Sequence, residues 1–72
     1  MERLKGLGSR LRALWKERRI YQREMAELLR VTTQHYQKIE QGEVNISSLT
    51  LWDLADYFGV STDYLLGRFD ER

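Results

Sequence analysis

The sequence predicts an all-α domain built from short helices, and three observations carry that prediction. Apolar residues recur three and four positions apart along most of the chain, the period of a helix with one buried face. Pro is absent while five Gly punctuate the 72 residues, which suits short helices with Gly stops. Ser and Thr stand just ahead of several apolar runs, where a hydroxyl can cap a helix start. A chain of this length is one domain, and its core supplies only about 3–5 kcal/mol of net stability.

Met1 to Gly6 is charged and brief, and residues 1–6 read as a flexible arm or frayed end. Helix 1 is expected over about Leu7 to Arg18. Leu7, Leu11 and Leu14 would be buried at i, i+4, i+7, with Arg10, Arg12, Lys16 and Arg18 facing out. Gly8 lowers helix propensity there and permits close packing. A second helix starts at Gln22, with Met25, Ala26 and Leu29 as a narrow apolar stripe. Leu29-Arg30-Val31-Thr32 then gives an apolar anchor and a cap for a third helix, about residues 33–41, with Tyr36 and Ile39 inward and Gly42 as its stop. Two helices joined by about three or four residues form a helix-turn-helix. Glu43-Val44-Asn45-Ile46 is a loop, and Ser47 or Ser48 caps a helix over about Ser48 to Phe58. Its inner face is Leu51, Leu54, Ala55 and Phe58. Gly59 ends it, Val60 anchors the turn, and Ser61 caps a fifth helix with Asp63 near its positive end. The domain is expected over residues 7–67, leaving 68–72 as a tail. Met1 and the charged Asp70-Glu71-Arg72 fit a complete small protein.

The segment Gln22 to Gly42 resembles the helix-turn-helix family of phage repressors and Cro proteins, the XRE family. Gln22 matches the family's Gln at the start of the first motif helix, and Ala26 its small residue at the helix crossing. Val31-Thr32 matches its turn and cap, and Glu40-x-Gly42 its "E-x-G" ending. Leu54-Ala55, Gly59-Val60-Ser61 and Asp63-Tyr64-Leu65-Leu66 match its last two helices. The resemblance covers roughly residues 7 to 67 and implies a five-helix, lambda-repressor-like DNA-binding domain. The chain departs from the pattern in four places. Trp15 stands where the family usually has an Arg paired with the Glu of the ending. Glu40 is therefore exposed, reached by Arg12 or Arg19, or satisfied by backbone donors; alternatively Trp15 replaces the polar tie with apolar packing. Arg19 occupies a place that often holds a Gly in a left-handed turn. Tyr21 replaces a capping Ser or Thr, at a typical cost of about 1 kcal/mol; Arg19 and Tyr21 are alternatively DNA-backbone contacts. Ile46 stands where the family commonly has Pro.

The outer face of the third helix holds Thr33, Gln34, Gln37, Lys38 and Gln41, polar side chains with no acid among them. The resemblance places that helix in the DNA major groove, with Thr33, Gln34, Gln37 and Lys38 against base edges. A Gln amide suits adenine, a Lys suits guanine, and a Thr methyl packs on thymine. Gln22, Arg23, Thr32 and Gln41 are the expected phosphate contacts, helped by the dipole at the start of the Gln22 helix. Trp52, with Leu65, Leu66 and Phe69, is a candidate homodimer surface, since two-fold dimers read half-sites one helical turn apart. Alternatively Trp52 fills the core.

Net charge is +1, but residues 2–30 carry +5 and residues 31–72 carry −4. That asymmetry fits one face meeting an anion, or an ordinary solvated surface. Lys38 is the only cation of the third helix. Without Cys there is neither a disulfide nor a thiolate metal site, and the reducing cytoplasm is the expected compartment. No stretch approaches the ~20 apolar residues of a membrane span. His35 is the only His and is expected to be solvated. No nucleophile-and-base set or phosphate-cradling Gly loop is present, so no enzyme, cofactor or small-molecule ligand is expected. The expected partners are an operator in duplex DNA and a second copy of the chain. The alternative is a protein-interaction module of the same fold, such as an antitoxin, anti-repressor or assembly factor.

Overall fold

The computed structural model describes residues 2–70 and 72, with side chains from Lys5 onward; Met1 and Glu71 lie outside the described residues. Five helices follow in order: α1 (Glu2–Glu17), α2 (Gln22–Leu29), α3 (Thr33–Glu40), α4 (Ser48–Phe58) and α5 (Thr62–Leu65). The described residues contain no strand. α4 has the bounds read from its capping Ser and stopping Gly.

α1 is longer than expected. Residues 2–6, read as an arm, are its first turns. Two glycines weaken this end, yet Leu7 and Gly8 are both buried, so packing holds the helix where propensity does not. The Ser9 hydroxyl and Arg10 Nη1 also donate to the Gly6 carbonyl, at 3.1 and 3.2 Å.

The core draws on every helix: Leu7, Leu11 and Leu14 from α1, Met25 and Ala26 from α2, Tyr36 and Ile39 from α3, Leu54, Ala55 and Phe58 from α4, and Leu65 from α5. α3 packs against both α1 and α2, while α5 joins α4 to α1. Trp15, Ile20, Leu29, Val31, Ile46, Leu51 and Val60 are partly buried around this centre.

Every helix stops in the same way. Residues 19, 30, 42, 59 and 67 have positive φ, and after each one the next N–H reaches back five residues: Ile20 to Trp15, Val31 to Ala26, Glu43 to Lys38, Val60 to Ala55 and Arg68 to Asp63. This left-handed closure satisfies carbonyls that a helix end leaves open. Three of the five residues are Gly, but Arg19 (φ 58°) and Arg30 (φ 59°) are not. The starts divide similarly. The hydroxyls of Thr32, Ser47 and Ser61 accept from the N–H of His35, Thr50 and Tyr64. Tyr21 gives α2 no side-chain cap.

The tail is not loose at its end. The Ser61 N–H donates to the Arg72 carbonyl at 3.0 Å, and the Arg72 guanidinium makes two 2.7 Å bonds to Glu17. Two of the cations expected to face out are also tied in. Arg10 is half-buried beside the Tyr64 ring, and Arg18 donates to the Phe58 carbonyl with its guanidinium over the Phe58 ring.

Two apolar assignments need correcting. Leu65 cannot line a dimer surface, because it is fully buried and α5 docks through it. Trp52 does not fill the core: it is 62% exposed, with Leu66 and Phe69 also exposed. Leu49, one turn before Trp52, is the most exposed large apolar residue described, at 76%.

Candidate nucleic-acid interface

α3 has only eight residues, too few to hold a helix by themselves in water. Three ties hold it in place. At its start the Thr32 hydroxyl accepts from His35 N–H. In its middle Tyr36 and Ile39 enter the core. At its end, Glu40 is gripped from both other helices of the motif region. Trp15 Nε1 donates to Glu40 Oε1 at 2.7 Å, and Gln22 Nε2 donates to Glu40 Oε2 at 2.8 Å.

This resolves how Glu40 is satisfied. None of the expected solutions holds alone: the residue is half-buried, and neither Arg12 nor Arg19 bonds it. Trp15 supplies packing and also an N–H, so the indole keeps a polar tie without a charge. A half-buried carboxylate with both oxygens bonded avoids most of the cost of desolvation. The Tyr36 phenol is buried nearby with no hydrogen-bond partner among the described residues. Burial first, and then the Glu40 charge, push its ionisation upward, so it stays neutral.

Gly8 makes the arrangement possible. A Cβ on Gly8 would lie 2.0 Å from the Glu40 carbonyl oxygen, so α1 meets the end of α3 backbone to backbone. The close packing expected of this glycine is present.

With Tyr36 and Ile39 inward, Gln34, Gln37, Lys38 and Gln41 are exposed along one side of α3, and Thr33 is half-buried. The structure thus brings the four expected base-contacting residues onto one face with Gln41. Thr32 has its oxygen engaged as the cap, which leaves its O–H free to donate. Gln22 is half-buried and directed at Glu40, while Arg23 is exposed. Gln37 Nε2 donates to Gln22 Oε1 at 3.2 Å, linking the two helices of the motif across their outer edge. His35 is exposed but lies on the other side, in a shallow groove beside Asn45 and Ile46.

A larger groove of about 540 Å³ runs between α1 and this face. It is lined by Gly8, Ser9, Arg12 and Trp15 on one side and by Gln22, Gln37, Glu40 and Gln41 on the other. Sequence reasoning did not assign Ser9 to this region, and brought Arg12 here only as one of two cations that could reach Glu40. The signal was available, because Gly8, Arg12 and Trp15 recur at i, i+4, i+7 on a stripe beside the leucine stripe. No His, Cys, Asp and Glu grouping among the described residues could hold a metal ion. No described helix is long and apolar enough to cross a membrane.

Comparison with known proteins agrees with this geometry. The family model described as helix-turn-helix matches residues 11–65. The SPbeta prophage-derived uncharacterized HTH-type transcriptional regulator YonR of Bacillus subtilis (strain 168) is 39% identical over 59 residues, 82% of this chain and 55% of that protein. The chain therefore spans about half the length of that relative. With two helices joined at an αL turn, a Thr cap opening the second and Glu40 closing it, the chain belongs to the XRE family of helix-turn-helix proteins.

Proposed function

We propose that this domain binds duplex DNA sequence-specifically and regulates transcription by occupying its operator. The observation that carries this reading is the exposed, acid-free face of α3, presented by an eight-residue helix that is tied at its start, middle and end. A solvated face with no role would not need such fixing. Thr33, Gln34, Gln37 and Lys38 meet base edges in the major groove. Arg23, Thr32, Gln41 and the remaining Gln22 N–H meet phosphates, as does the α2 N-terminus, which Tyr21 leaves without a side-chain cap. The protein acts in the cytoplasm and as a homodimer. The exposed apolar residues Trp52, Leu66 and Phe69 supply the surface for a second copy, with Leu49 extending it on α4.

The test is selection from random duplex pools, followed by a salt titration on the winner. A roughly palindromic operator is expected, with log K falling by about 0.9 per phosphate contacted as log salt rises. Enrichment of no sequence refutes the reading, and the Trp52 surface then becomes the docking face of an interaction module.

A further inference from the structure

We infer that Glu40 and Gln22 form a relay that sets the amide polarity of Gln37, making Gln37 an adenine-reading residue. The inference rests on the DNA-binding reading above. A free glutamine can present its amide either way round, because the two orientations are nearly isosteric. Here the choice is made by a carboxylate. Trp15 has one N–H and occupies Glu40 Oε1, which leaves Oε2 for Gln22 at 2.8 Å. A carboxylate only accepts, so Gln22 must turn its NH₂ to Glu40 and its oxygen away. That oxygen faces Gln37 at 3.2 Å and can only accept, so Gln37 must turn its own NH₂ toward it.

The outcome is a Gln37 whose Oε1 and second N–H remain free. Side by side, an acceptor and a donor match the N6 amino group and N7 of adenine. The opposite amide polarity would offer donors where guanine has its O6 and N7 acceptors. The relay therefore discriminates adenine from guanine at one base pair, from a carboxylate that touches no base. Glu40 and Gln22 are positioning residues here, and Gln37 is the reader.

The experiment measures relative affinities for the selected operator with each base substituted at every position of a half-site. Wild type is compared with Gln37→Ala, Glu40→Gln, Gln22→Met and Trp15→Phe. Gln37→Ala should remove an adenine-over-guanine preference of roughly tenfold at one base pair. Glu40→Gln, which can donate as well as accept, and Gln22→Met, which has no amide, should weaken that same preference and leave the others. Trp15→Phe disturbs Glu40 without touching Gln22 and should retain it. Because the readout is a ratio within each variant, lost stability or a lost phosphate contact does not imitate the effect. If Glu40→Gln does not fold, Gln22→Met carries the test. A preference unchanged in the relay variants, or a Gln37→Ala that alters no adenine position, overturns the relay alone. A wild type that selects no sequence overturns the DNA reading and the relay with it.

Discussion

Gly8→Ala gives a sharp test of the packing, because two physical effects predict opposite signs. On helix propensity alone, replacing a glycine inside α1 by alanine should stabilise the protein by about 1 kcal/mol. The structure predicts the reverse. The new Cβ would sit 2.0 Å from the Glu40 carbonyl oxygen, 2.5 Å from its carbon and 2.6 Å from its Cα. Ordinary contact begins at 3.4 Å, so α1 and the end of α3 must part by roughly 1.4 Å. The obstacle is backbone and cannot rotate away. Overpacking of this kind costs about 1–3 kcal/mol, and separation also stretches the Trp15 bond to Glu40. After the propensity gain, a net loss of up to about 2 kcal/mol remains, a large share of the ~3–5 kcal/mol such a domain holds. Each kcal/mol should lower the melting temperature by roughly 4–8 °C. Gly6→Ala is the control in the same helix, where the Cβ would meet no backbone and only the side-chain end of Arg10, at 3.2 Å. Thermal and urea unfolding followed by circular dichroism should rank Gly6→Ala near or above wild type and Gly8→Ala well below it. Equal stability of the two variants would refute the backbone contact.

Two further outcomes follow from the helix ends. Arg19 holds φ 58° at the end of α1, a conformation costing a non-Gly residue about 1–2 kcal/mol. Arg19→Gly removes that strain against a smaller loss to unfolded-chain entropy, so it should raise the unfolding free energy measured in urea by up to about 1 kcal/mol; a lower value would mean that the Arg19 side chain is itself stabilising. At the same end of α1, the paired hydrogen bonds from Arg72 hold the Glu17 carboxyl below its usual 4.5. A depressed folded value means the contribution is present above the unfolded value and lost as pH falls through the folded one, so it disappears in the acid range below 4.5. Carboxyl NMR titration should show the Glu17 midpoint rising in Arg72→Ala, and an unchanged midpoint would show that the pair does not persist in solution.

Features set by neighbours in the chain were legible in the sequence. Thr32, Ser47 and Ser61 cap as their positions suggest, and Ser48 and Phe58 bound α4, because a cap bond spans three residues and a Gly stop is local. Helix faces long enough to define a stripe were also legible, as with Leu7, Leu11 and Leu14. α5 has four residues, too few to say which of Leu65 and Leu66 faces in, and the dimer surface was misjudged there. Arg30 gave no sign of its left-handed turn, since no glycine marked it. Arg10 and Arg18 looked solvated because their partners, the Tyr64 ring and the Phe58 carbonyl, lie far along the chain. The Glu40 tie was hidden for the same reason: its donors are 25 and 18 residues away, and an indole is easily read as packing alone.

That tie also explains why stability and recognition share residues in so small a domain. An eight-residue α3 is about 12 Å long and could not stay helical without help. A larger protein could hold such a helix by burying more of it, but burial here would consume the face that must remain open. The chain instead buries two side chains, Tyr36 and Ile39, and fixes the far end through Glu40. Because Glu40 is held by α1 through Trp15 and by α2 through Gln22, the angle of α3 depends on both. Substitutions at Gly8, Trp15 or Gln22 should therefore weaken DNA binding even where the residues proposed to contact bases are intact. Substitutions at Gln34 or Lys38, exposed and outside that network, should leave folding nearly unchanged while altering binding.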